Sequence, residues 1–304
     1  MKILLTGSCG HIGSYIFSNI HKVRGIKEII LVDNLSTGQN HIINNRNKKI
    51  KSNFYLINVN KIGSLNQFKK IDVIIHCASF TNAQNSFFQK DNMYKNNLDC
   101  MFNVMNYCIK NKTKLIHISS TSIYGKNAKL IKEEDKNFIN PTSPYAKIKL
   151  LEEKMLKKNS NKLSYTTLRF GTIAGVSKGI RFHTAINKFC FQAALNQRIE
   201  VYKTAYNQCR PYLSLKDAFK VFKFCIEKNY FKNSPINVLS GNFTVNNILK
   251  KIRKYKNNIR IKFVKVKIMN KINFMIDNSK LETLGVKLRS NLDKEIKETL
   301  NLFK

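Results

Sequence analysis

The first stretch of the chain constrains it more than any other. Ile3-Leu4-Leu5 is a short apolar run suited to a buried parallel strand, and it passes directly into Thr6-Gly7-Ser8-Cys9-Gly10-His11-Ile12-Gly13. Apolar residues then recur at Ile16 and Ile20 with helical spacing. The order is therefore strand, glycine turn, helix. Gly7 permits the tight turn, Gly10 lets the backbone approach a bound group, and Gly13 lets the helix pack closely on the strand. A helix N-terminus opening from such a turn favours an anion, and this arrangement suits a pyrophosphate.

The second apolar run, Glu28-Ile29-Ile30-Leu31-Val32, ends in Asp33, twenty positions after Gly13. A carboxylate at that point of a dinucleotide unit holds a ribose diol and repels a 2′-phosphate, which favours NAD over NADP. An aspartate ending a strand can also merely cap a turn, but strand, glycines, helix, strand and acid together carry more than that. Further strand-plus-helix units follow at Phe54-Tyr55-Leu56-Ile57 before Asn58-Val59, and at Asp72-Val73-Ile74-Ile75-His76 before Cys77-Ala78-Ser79. A long helical pattern from about Asp91 to Lys110 precedes the strand Lys114-Leu115-Ile116-His117-Ile118. The expected fold class is α/β, a doubly wound parallel sheet with a smaller mixed C-terminal region for substrate. His76 and His117 sit in or at the ends of apolar strands and read as structural.

A chain of 304 residues with 43% hydrophobic content can bury a sizeable core. Its 54 Lys+Arg against 18 Asp+Glu, net +36, raise nucleic acid as a partner. The lysines, however, are spread along the whole chain with an excess of asparagine and isoleucine and only 12 glycines and 4 prolines, the signature of AT-rich coding drift. Seven cysteines form no CxxC pair and no His/Cys cluster at metal spacing, so they read as reduced thiols, and no metal is expected. The apolar start is too short for a signal peptide and no span of ~20 apolar residues occurs, which predicts a cytoplasmic protein.

The chemistry centres on Ser143-Pro144-Tyr145-Ala146-Lys147-Ile148-Lys149. In a helix Tyr145 and Lys149 share one face. A phenol ordinarily loses its proton near pH ~10, so it works as a base at neutrality only beside a fixed positive charge, which Lys149 supplies. The spacing alone is also what an amphipathic surface helix produces in a lysine-rich chain. Upstream, the apolar strand Ile118-Ser119-Ser120-Thr121-Ser122-Ile123-Tyr124-Gly125 ends in hydroxyls and brings Ser120 toward the same phenol. A sixth strand is predicted at Tyr165-Thr166-Thr167-Leu168-Arg169-Phe170, closing a first domain at 1–170. The remainder, 171–304, breaks into shorter pieces: a helix near Thr184 to Asn196, a strand at Ile199-Glu200-Val201-Tyr202, and Arg210-Pro211-Tyr212-Leu213 leading to a further helix as the chain returns to the first domain near 205–230. Residues 257–304 carry two weak helical patterns.

Taken in order, Gly7/Gly10/Gly13, Asp33-Asn34-Leu35-Ser36-Thr37-Gly38, His76 to Ser79, Asn97, Ser119 to Gly125, Tyr145 with Lys149, Leu168 to Thr172 and Arg210 to Leu213 resemble the extended short-chain dehydrogenase/reductase family, in its NAD-dependent nucleotide-sugar epimerase/dehydratase branch. The resemblance covers most of residues 1–230. It implies NAD held by Gly7, Gly10, His11, Ile12, Gly13, Asp33, Asn34, Ser36, Asn58, Val59, Cys77, Ala78, Ser79, Asn97, Tyr145 and Lys149. It implies Tyr145 as base, Lys149 on the nicotinamide ribose, Ser120 on the reacting oxygen, and a nucleotide diphosphate sugar met by Ser120, Ser122, Thr172, Asn187 and Arg210. A homodimer through the helices near 91–110 and 144–158 is the family's usual assembly. Three positions depart from the pattern: Asn58 replaces an aspartate at adenine, Thr172 an asparagine at substrate, and Thr81 stands where galactose epimerases carry lysine.

The resemblance implies an epimerase acting at C4 through a keto-sugar. A net oxidoreductase or decarboxylase on the same scaffold stays open, as does a dinucleotide-sensing or nucleic-acid-binding protein, although the latter has no use for the intact serine, tyrosine and lysine. In the family's dehydratases an aspartate and a glutamate follow the position of Ser120; Thr121 and Ser122 stand there in this chain, and their hydroxyls cannot exchange protons usefully near neutrality. Dehydration is therefore not expected.

Overall fold

The computed structural model describes residues 1–41, 49–81, 87–125, 128–264, 273–288 and 292–304. The chain runs β1 (Lys2–Thr6), α1 (His11–Asn19), β2 (Glu28–Asp33), β3 (Lys51–Leu56), β4 (Val73–His76), α2 (Lys90–Asn111), β5 (Lys114–Ser120), β6 (Ala128–Ile131), α3 (Pro144–Lys158) and β7 (Tyr165–Phe170). It continues through β8 (Thr172–Ala174), α4 (Ala185–Ala194), β9 (Ile199–Tyr202), β10 (Cys209–Ser214), α5 (Leu215–Glu227), β11 (Pro235–Val238) and β12 (Gly241–Thr244). It ends with α6 (Val245–Arg253), β13 (Ile261–Val264), β14 (Phe274–Ile276), α7 (Ser279–Thr283) and α8 (Leu292–Asn301).

The main sheet has seven parallel strands in the order β11-β7-β5-β4-β1-β2-β3. Its central strands are buried on both faces because alternate side chains meet helices on opposite sides. Ile3 and Leu5 of β1 pack with Ile16 and Phe17 of α1 and Phe222 of α5. Leu4, between them, packs with Met101 and Val104 of α2 and Leu156 of α3 on the other face. The six-strand expectation is exceeded by β11, a four-residue strand from the C-terminal half that pairs with β7. It escapes a sequence reading because Pro235-Ile236-Asn237-Val238 is too short to show a period, yet its last three residues are buried.

The chain winds outward from β1 in both directions, so the crevice outside the carboxyl ends of β1 and β4 is the topological switch point where α/β folds bind ligands. α3, which carries Tyr145 and Lys149, starts cleanly: the Ser143 hydroxyl accepts from the Ala146 N–H at 3.2 Å and Pro144 occupies the first turn. The smaller region has its own core, with Ile186 and Cys190 of α4, Ile248 and Ile252 of α6 and Ile296 of α8. Among the described residues no helix is long and apolar enough to cross a membrane.

Candidate active site

Three strand ends build the dinucleotide half of the crevice. Thr6 ties two of them together: its hydroxyl lies 2.8 Å from His76 Nδ1 and accepts from the backbone N–H groups of Cys77 and Ala78 at 3.2 and 3.3 Å. Gly7 follows at φ +64°, and a Cβ there would fall 2.6 Å from Ala78 N, so only glycine lets the turn lie against the β4 loop. A Cβ on Gly13 would fall 2.1 Å from Gly7 O, which fixes how closely α1 seats on the turn. Gly10 is less confined, with Gly7 O at 3.3 Å, still a close contact, and Arg181 Nη2 at 3.7 Å from a built Cβ. Asp33 closes the far side. Its Oδ2 accepts from the Cys9 N–H and its Oδ1 from the Leu35 N–H, each at 2.9 Å, leaving lone pairs on both oxygens for a diol. Burial, with the Asp33 charge adding, pushes the Cys9 thiol up to about 12, so it stays protonated.

Gly7, Gly10, Asp33, Asn34, Ser36, Asn58, Val59, Cys77, Ala78 and Ser79 line one cleft, together with Phe80 and Arg181. An open glycine turn at a helix N-terminus, a strand-end carboxylate and a guanidinium fit a ribosyl pyrophosphate. Three residues expected at NAD have their side chains engaged elsewhere or packed away. His11 meets Gly175 O through Nε2 at 2.9 Å, and burial holds its imidazole down at about 4, so it is neutral and brings no charge to a phosphate. Asn97 is spent on the backbone of Phe80, accepting from its N–H at 2.8 Å and donating to its carbonyl at 3.0 Å. Ile12 packs against the large core cluster, which leaves only its backbone, beside Gly13, for a ligand.

The residues expected to transfer the proton converge beside this cleft. The Ser120 side chain hydrogen-bonds the Tyr145 phenol, and the Lys149 ammonium lies 5.9 Å from the Tyr145 ring centroid. Ser120 Oγ also accepts from the Ser122 N–H at 3.1 Å, so its own proton is available to donate. The phenol differs from expectation. Burial raises its proton affinity above the ordinary value; Lys149 and Ser120 act to lower it, but the Glu152 carboxylate raises it further, and the balance is upward. Lys149 is itself 3% exposed, and although burial acts to lower its pKa, Glu152 together with Tyr145 and Cys77 outweighs that and raises it.

Of the residues expected at substrate, Thr172 is half-buried on β8 opposite Tyr212 of β10. Arg210 lies over the Phe274 ring at 5.7 Å and donates to Gln208 Oε1 at 3.0 Å. Asn187 is fully buried: its Oδ1 accepts from the Gly175 N–H at 3.2 Å and its Nδ2 donates to Arg181 O at 3.1 Å, so it locks backbone. Ser122 Oγ is a buried hydroxyl without a partner among the described residues.

Two side chains enter the site unannounced by any sequence pattern. Arg181 arrives because the loop before α4 docks on α1, with the Gly179 N–H donating to Ser14 Oγ at 2.9 Å, and it donates to Thr81 Oγ1 at 3.1 Å. Glu152 arrives because β5 presents His117 to α3. Glu153, next to it, forms a fork with Arg169 of β7 at 3.0 and 2.7 Å and accepts from Ser119 Oγ at 2.6 Å, tying α3 to the sheet beneath Tyr145. The only sequence signal for Glu152 was an i,i+3 charge pair, which ordinarily marks an exposed helix face.

The family model described as the NAD dependent epimerase/dehydratase family matches residues 3–238. The chain belongs to that family. The family is NAD-dependent. Among known relatives, it is 28% identical over 254 residues to an ADP-L-glycero-D-manno-heptose-6-epimerase of Brachyspira hyodysenteriae, covering 79% of this chain and 76% of that one. It is 28% identical over 253 residues to a dTDP-D-glucose 4,6-dehydratase of Dictyostelium discoideum, covering 76% of this chain and 57% of that longer one. Among solved structures, the UDP-glucose 4-epimerase of Thermus thermophilus in complex with NAD superposes with a TM-score of 0.86 at 20% identity, over 100% of this chain and 99% of that one.

Proposed function

We propose that this family member is an epimerase of a nucleotide diphosphate sugar, inverting C4 through a keto-sugar. The observation that carries the reading is the composition of the site after Ser120. Thr121 donates its hydroxyl to Phe170 O at 3.1 Å and is buried, and Ser122 is a hydroxyl, so neither can act as the acid or base that removing water requires. The carboxylates nearby, Glu152 and Glu153, are held by Lys149 and Arg169.

NAD, when bound, supplies the hydride acceptor and donor. The rest falls to the protein. Tyr145 Oη takes the proton of the reacting hydroxyl and later returns it, Ser120 Oγ orients that oxygen, and the Lys149 ammonium stabilises the phenolate. Ser122, Thr172 and Arg210 meet the sugar nucleotide, with residues 1–170 serving the cofactor and 171–304 the substrate, in a homodimer formed through α2 and α3. An unpaired buried hydroxyl costs roughly 1–3 kcal/mol, so Ser122 gains by meeting a sugar hydroxyl.

A panel of nucleotide sugars followed by NMR tests the reading. The expected result is an equilibrium of two epimers without consumption of added NAD. Accumulation of a 4-keto-6-deoxy sugar refutes it, and stoichiometric use of NAD moves the protein to the oxidoreductases. Tyr145→Phe is expected to lower turnover by at least ~10²-fold with NAD binding nearly intact.

A further inference from the structure

A carboxylate sits behind the proposed catalytic pair. Glu152 Oε2 accepts from Lys149 Nζ at 2.8 Å and from His117 Nε2 at 2.8 Å, and the Lys149, Glu152 and His117 side chains are 4%, 1% and 0% exposed. His117 is oriented from its other side, its Nδ1 lying 3.3 Å from Thr167 Oγ1 on β7. Stability alone is a weak reason for this arrangement, because buried ion pairs often stabilise no better than apolar residues of the same volume. What distinguishes the trio is its place: Lys149 and Glu152 share α3 with Tyr145, and His117 reaches them from β5.

The groups that act on it come from every element around it. α3 contributes Lys149 and Tyr145, β5 contributes His117, the end of β4 contributes His76 and Cys77, and α2 contributes Cys100 and, beside it, Asp99. Burial keeps His76 neutral at about 3 and the Cys100 thiol protonated at about 12, and it pushes the Cys77 thiol up as well. Burial acts to raise the Glu152 carboxyl, but Lys149 and His117 together hold it down at about 2, so it is ionised at neutral pH. The Lys149 charge therefore reaches the phenol with a fixed negative charge beside it.

We propose that Glu152, held in place by His117, is a positioning residue that aims the buried Lys149 ammonium at Tyr145 and sets a fixed negative charge behind the phenol. The inference deepens the reading of Tyr145 as the proton-transferring residue and rests on it. It follows that the site trades basicity for a lysine that stays protonated in a dry environment. Taking the carboxylate away lowers the proton affinity of the lysine and of the phenol together.

The test is ultraviolet titration of tyrosinate in the NAD-loaded and NAD-free protein, with the Tyr145→Phe variant subtracted so that Tyr145 alone is read. Glu152→Gln is expected to move the Tyr145 midpoint down by on the order of one pH unit, and the acid limb of kcat/KM is expected to move the same way. A folded Glu152→Gln protein whose Tyr145 midpoint is unchanged or higher overturns the proposal, since a merely structural residue would alter stability and leave the titration alone. If that variant does not fold, the unmodified NAD-free protein decides: Tyr145 is expected above the ordinary tyrosine value of 10.0, and a midpoint near neutrality overturns the proposal. The titration needs no substrate. Failure of every nucleotide sugar to turn over would sink the epimerase reading and leave this result standing on its own.

Discussion

Glu295 offers the most quantitative prediction. It lies on α8 at 2% exposure, its Oε2 packed so closely on the Gly175 backbone that a Cβ there would fall 2.3 Å away. Lys216 Nζ stands 3.7 Å from its Oε1. Burial raises the carboxyl from 4.5 to about 7, with Glu298 and Asp217 adding and Lys216 opposing. The folded protein thus binds a proton between those values that the unfolded chain has released. The associated stability is fully present below 4.5 and is lost as pH rises through about 7. The gap corresponds to roughly 3 kcal/mol, reduced to ~1–2 kcal/mol because the Glu298 charge that adds to it is partly exposed and screened by water.

His11 and His76 act with the opposite sign. Burial depresses their folded values to about 4 and about 3, so they add stability as pH rises from those values toward 6.5, and it is fully present above 6.5. Only the difference between Glu295→Gln and the unmodified protein isolates Glu295. Urea unfolding at about pH 5 and about pH 8 should show the glutamine variant gaining ~1–2 kcal/mol relative to the parent between the two conditions. A difference that does not change with pH would show that Glu295 is charged throughout and would refute the reasoning.

Two further outcomes concern the cofactor. Asp33→Ala is expected to weaken NAD by about tenfold or more and to narrow its advantage over NADP, read by calorimetry; equal or tighter NADP binding to the unmodified protein would overturn the role of Asp33. Gly10→Ala and Gly13→Ala should separate binding from folding. The first places a methyl toward the anion site at 3.3 Å from the Gly7 carbonyl, a close contact that asks only a small adjustment, so NAD affinity falls by about tenfold with a smaller loss of stability than the second. The second drives a methyl into the Gly7 carbonyl and should cost ~1–3 kcal/mol of stability as well. Equal loss of stability in both would show that the two glycines do not divide the task this way.

What the sequence by itself determined was whatever depends on short-range spacing. The strand, glycine turn and helix of residues 2–19, the strand-end Asp33, the helix carrying Tyr145 and Lys149, and the hydroxyls after Ile118 all lie within a few residues of the neighbours that define them, so periodicity and turn chemistry expose them. What only the tertiary structure decided is pairing between distant segments. Glu152 looked like one more charge on a lysine-rich helix until the order of β4, β5 and β7 set His117 against it from 35 residues away. Arg181 reached the glycine turn because Gly179 docks on Ser14 across 165 residues, and β11 became the seventh strand because β7 left an edge for it. Asn97 and Asn187 show the same dependence: the loops at Phe80 and Gly175 close over them, and their amides satisfy backbone groups that would be costly to bury without a partner.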